Sequence, residues 1–285
     1  MVWSLLQPSF SEALSSCVYP LIFIVFTNNC SYGKLFQSEQ RITYMDIGQL
    51  GIFTKGESHI SFYADIEPLI HSFIEDHENH KDDMKLFNDT KDHYEKTKYL
   101  NENLFANFDG LSSEKIHPML KRCLIKKRDC NLKQILKQVD NDFDNVKRIL
   151  RIIRDFNKAN NKVNAFNKLI SVTGKDHIRG GGIYFITQLL AGAYPDDYVV
   201  VEDSLVQALV DLGGDELGIT PTIITKNKGD GYILVNSICK KILEINFIPY
   251  LEQRQLLDKY PFGLALVHNF LWHHNKFYVP KGIWF

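Results

Sequence analysis

From residue 106 onward the apolar residues return every third or fourth position, and a chain written that way can bury them only along one face of a helix. The clearest stretch is 141–156, where Phe143, Val146, Ile149, Leu150 and Ile153 form the stripe and Lys147, Arg148, Arg151 and Arg154 fall on the other faces. Ile116, Leu120, Cys123 and Leu124 keep the same spacing behind Ser112 and Ser113, either of which can cap a helix. Further helices are expected over 131–139, 162–173, 231–245 and 261–275, with Gly174 as a C-cap and one short strand at 222–225 inside a loop.

The first hundred residues carry a different pattern. Residues 41–67 alternate apolar and polar side chains between Gly48, Gly51 and Gly56, the period of short strands joined by tight turns. From Pro68 the spacing turns helical, with Leu69, Ile70, Phe73 and Ile74 on one face, before an acidic run to residue 88 and a charged segment to 103. The expected fold class is therefore mainly α, α+β overall: a small mixed α/β N-terminal region, 1–105, and a helical domain, 106–285. The apolar run 17–26 is about half as long as a membrane span and contains Pro20, so it reads as a buried strand and no membrane partner is expected. Five cysteines in 285 residues are too few and too scattered for a disulfide framework and read as reduced thiols of an intracellular, cytoplasmic protein.

Charge is unevenly placed. The net value is −1, yet residues 113–180 hold 17 Lys and Arg against 7 Asp and Glu. Such a segment, running from Lys121 and Arg122 through Arg148 and Arg151 to Lys175 and Arg179, is a footprint that neutralises phosphates; it is equally the composition of a solvated helix face.

The stretch 174–212 is the most specific. Ile178 is followed by Gly180, Gly181 and Gly182 and then by an amphipathic helix with Phe185, Ile186, Leu189 and Leu190 inside. A glycine turn that uncovers backbone amides at a helix N-terminus makes an anion site, because the dipole adds partial positive charge there. After that helix come Tyr194, Pro195, Asp196 and Asp197, an apolar run, and Glu202 with Asp203.

This arrangement resembles the helix-hairpin-helix of the DNA-glycosylase superfamily, and also the glycosylase-like domains of prokaryotic restriction and defence proteins. The likeness covers about residues 140–275, with Phe270, Leu271, Trp272, His273 and His274 on the last helix. Ile178, Gly180 and Gly182 match the hairpin pattern, and Gly181 stands where an apolar residue is usual. The resemblance implies a clamp on the phosphate backbone of double-stranded DNA through Gly180, Gly181 and Gly182, assisted by Lys175 and Arg179, and a place in DNA repair or defence. It implies an acidic residue about twenty positions past the second hairpin glycine, where Glu202 and Asp203 stand. The lysine nucleophile of bifunctional glycosylases is replaced by Ile183 and Tyr184, and the four-cysteine cluster motif is missing, so no cofactor is expected and chemistry would be monofunctional hydrolysis using Glu202 or Asp203. The same acidic pair would also suit a helix N-terminus with no chemistry at all.

Other patterns carry less. His77 and His80 could share a metal with Asp76 or Asp83, but their spacing is not the usual helical pair of ligands, and no metal is expected there. His268, His273 and His274 read as core or surface histidines, one of which could meet a ligand. Ser204 stands where a restriction nuclease would need lysine, and Gly229 and Gly231 follow Lys226 and Lys228 instead of preceding them, which excludes a phosphate-binding loop. Three functional classes remain: a non-catalytic or modified-base-recognising DNA-binding protein, a monofunctional DNA N-glycosylase using Glu202, and a helical scaffold that binds protein partners.

Overall fold

The computed structural model describes residues 58–79, 84–123, 131–171 and 173–277. These residues are mainly helical and contain eleven α-helices: α1 (Ser58–Asn79), α2 (Met84–Leu100), α3 (Ser113–Cys123), α4 (Leu132–Asn141), α5 (Phe143–Arg154), α6 (Lys162–Ile170), α7 (Ile183–Ala193), α8 (Asp203–Asp211), α9 (Ile223–Ile242), α10 (Ile248–Gln253) and α11 (Leu264–Phe277). None of them is long and apolar enough to cross a membrane. The run at 17–26 and the strands expected over 41–57 lie outside the described residues.

α7 is the central element. Every residue from Tyr184 to Gly192 is buried, so the helix is apolar all round, as a helix enclosed by others must be. α2 and α5 flank it, α6 packs on α9, and α11 lies against α8, α2 and α9. α5 buries Val146, Ile149, Leu150 and Ile153, the stripe its sequence prescribes. α4 and α6 start where Asn131 and Asn161 accept hydrogen bonds from the amides of Gln134 and Asn164.

Two expectations are corrected. Residues 58–67 are not strand but the first half of α1, whose buried set, Phe62, Tyr63, Ile66, Ile70, Phe73 and Ile74, runs straight past the exposed Pro68. A few alternating residues satisfy both periods, and burial decided for the helix: Phe73 meets Phe247 and Phe270 edge to face at 6.3 and 5.4 Å, and Asn246 donates to the Tyr63 carbonyl at 2.8 Å. Likewise residues 223–225 are not strand but open α9, burying Ile223 and Ile224. All described residues fall in one compact unit, and α1 and α2 contribute to the same buried cluster as the helices that follow.

The run Val199–Val200–Val201 has the composition of a strand, but among the described residues no strand lies beside it. Its backbone is satisfied by side chains: the Val199 amide donates to Asn236 at 2.8 Å, the Val201 amide donates to the Thr187 hydroxyl at 3.1 Å, and the Tyr232 hydroxyl donates to the Val199 carbonyl at 3.3 Å. A buried extended segment needs such partners, and here they fix where the next residue, Glu202, must stand.

Candidate functional site

The hairpin turn, residues 173–182, is fastened before it meets any ligand. Ile178 is buried and anchors it. The Arg179 amide donates to the Gln138 side chain at 2.6 Å, the Asn131 amide to the Gly180 carbonyl at 2.8 Å, and the Gly181 amide to the Ile178 carbonyl at 2.9 Å. Arg148 of α5 donates to the Lys175 carbonyl at 2.5 Å and pairs with Asp176 at 2.6 Å. Gly180 has φ +82°, and a Cβ there would stand 2.9 Å from the Asn131 carbonyl oxygen and from the Gln134 Cβ. Only glycine fits that backbone against α4.

Lys175 and Arg179 are exposed on this turn, and together with Lys137 they line an open cavity of about 640 Å³ whose remaining walls include Gln134, Gln138 and Asn145. On the other side Gly181, Gly182 and the start of α7 open on a second cavity of about 430 Å³, which Glu202, Asp203 and Lys228 also line. Lys228 breaks α9 there, with φ 42° and ψ −107°. Gly181 and Gly182, the cations and the acidic pair, all picked out by sequence, are thus brought to adjoining cavities, while Gly180 packs against α4.

The rest of the basic segment is partly committed elsewhere. Arg154 pairs with Asp109 and Asp155, Lys158 with Asp155, and Arg122 lies 4.0 Å over the Tyr99 ring. Lys126, Lys127 and Arg128 lie outside the described residues.

Glu202 is the N-cap residue of α8, yet its side chain makes no capping hydrogen bond. The carboxylate, 12% exposed, points instead to His268 of α11, with 3.6 Å between Oε1 and Nε2. That pair borders a third cavity, of about 200 Å³, with Asp89, Asp92, His93, Asn269 and Trp272 around it. Glu202 therefore lies where two cavities meet, while Asp203 is exposed.

The other histidines have structural partners. His274 meets Asp211 at 2.7 Å, and His77 is bonded to the Phe73 carbonyl at 2.5 Å while Glu78 takes Lys259 and Tyr260. His80 and Asp83 lie outside the described residues, and among those residues no group of three or more His, Cys, Asp or Glu is placed to hold a metal. Burial pushes the Cys123 thiol up to about 11 and that of Cys239 well above its ordinary value, so both are inert thiols at neutral pH. Sequence reasoning grouped His268 with its neighbours and missed His93.

Comparison with known proteins finds no matching family model, no matching curated protein and no matching solved structure.

Proposed function

We propose that the protein binds duplex DNA through the turn that opens α7 and the cations beside it. The supporting observation is the prefixed turn: α4 and α5 hold its backbone, Lys175 and Arg179 extend from it, and Gly182 leads into a helix N-terminus, whose first amides and dipole favour an anion. Phosphate contacts of this kind give affinity without base readout and release counterions on binding. The test is a salt titration of binding to a labelled duplex, wild type beside Lys175→Ala/Arg179→Ala. Affinity should fall steeply with salt, and the double variant should bind more weakly with a salt slope lower by about 2, one for each contact removed. Absence of binding at low salt would overturn the proposal and leave the scaffold reading in its place.

One observation favours a second reading, hydrolysis of an N-glycosidic bond. Glu202 is nearly buried, makes no capping hydrogen bond and borders two cavities, so it could orient water or stabilise positive charge on a nucleotide drawn out of the duplex. On this reading Glu202→Gln lowers base release from duplexes carrying damaged or modified bases by about 10² or more. Equal release by the variant would remove Glu202 from the chemistry.

A further inference from the structure

The ring of His268 is held at Nδ1 and faces a carboxylate with Nε2. Nδ1 lies 2.9 Å from the Val200 carbonyl, and because a carbonyl only accepts, Nδ1 carries a proton and donates it whatever the charge of the ring. Nε2 is therefore the nitrogen that gains or loses a proton, and it faces Oε1 of Glu202 at 3.6 Å, with 9% and 12% of the two side chains exposed. His93 of α2 lies flat against the same ring, centroids 4.5 Å apart and planes at 10°, which fixes the plane in which Nε2 points. The valine run that supplies the Val200 carbonyl is the same segment that sets Glu202 at the start of α8, so acid and ring are positioned by one piece of backbone.

The surrounding charges bear on where the proton sits. Asp89 and Asp92 of α2 line the cavity beside the pair, Asp92 being held by Lys96, and carboxylates there favour an imidazolium. His93 is the titratable group stacked on the ring itself. Asp203 of α8, Lys228 of α9 and His177 of the turn border the cavity on the far side of Glu202, and further along α11 His274 is taken up by Asp211.

We propose that His268 is the positioning residue of Glu202: protonated at Nε2, its imidazolium pairs with the Glu202 carboxylate across 3.6 Å and holds it at the junction of the two cavities. The proposal rests on the second reading above for its chemical purpose, but its test does not. Histidine ring resonances of the full-length, isotope-labelled protein are followed by NMR from about pH 5 to 9 in wild type and Glu202→Gln. The His268 midpoint should fall by about one pH unit or more when Glu202 becomes Gln. A midpoint unmoved by Glu202→Gln overturns the pair; should that variant fail to fold, Glu202→Asp, which withdraws the carboxylate, must lower the midpoint for the proposal to stand.

Base release decides the companion reading separately. Wild type that releases no base while the midpoint shifts as expected refutes glycoside hydrolysis and leaves the ion pair intact. Base release lost in Glu202→Gln together with an unmoved midpoint means that Glu202 acts alone and His268 does not position it.

Discussion

At residue scale, two glycines of positive φ separate strain from contact. Gly180 (φ +82°) abuts the start of α4, whereas Gly213 (φ +91°) has nothing within 4 Å of the position a Cβ would take. Gly213→Ala should cost about 1 to 2 kcal/mol, the backbone penalty alone, and Gly180→Ala should cost that and more, because the Asn131 carbonyl and Gln134 must move. Urea unfolding of both variants measures the difference; equal losses would mean that the turn does not rest on α4. For the same reason a glycine substitution is a poor probe of phosphate contact here, and removal of Lys175 and Arg179 is the cleaner one.

At the scale of elements, α1 is tied to the segment after α10 by Glu78, which accepts hydrogen bonds from Lys259 at 2.7 Å and Tyr260 at 2.6 Å. Burial raises the Glu78 carboxyl, but these two hydrogen bonds and the Lys259 charge outweigh it and hold the group below the usual carboxylate range. A carboxyl lowered in the folded state contributes stability above its unfolded value of about 4.3, and the contribution is lost as pH falls through the lower folded value. Glu78→Gln should therefore reduce stability at neutral pH, by less than about 1 kcal/mol because the pair is partly solvated, and the gap to wild type should close below about pH 4. Thermal melts at both pH values check the sign: a gap that widens in acid contradicts it.

At the scale of the whole molecule, Phe73, Phe247 and Phe270 close the core edge to face, joining α1, the segment before α10 and α11. The buried residues form one cluster from Phe62 to Leu271, so the described helices should unfold together. Phe270→Ala, at a position 2% exposed, should cost about 3 to 5 kcal/mol, with circular dichroism and fluorescence still giving coincident transitions. Separate transitions for the two probes would show that α1 and α11 are not in one cooperative unit.

Much of the helical architecture was legible because a 3.6-residue period is a local property. Phe143 to Ile153 needed no partner to declare a face, and Asn131 and Asn161 mark helix starts by their own side chains. The turn at Gly180–Gly182 and the acidic pair at 202 and 203 were equally visible, as residue types at a spacing. What sequence could not decide is where two local readings tie. Residues 58–67 and 223–225 suit a strand as well as a helix, and only the aromatic neighbours of α1 and the burial of Ile223 and Ile224 settled them. Nor could it show that the valine run would hydrogen-bond to side chains, since Asn236, Thr187 and Tyr232, which bond its backbone, come from other helices. The pairing of Glu202 with His268 belongs to the same class: each residue is legible alone, but the 3.6 Å between them is set by the packing of α11 on α8, which only the folded chain brings about.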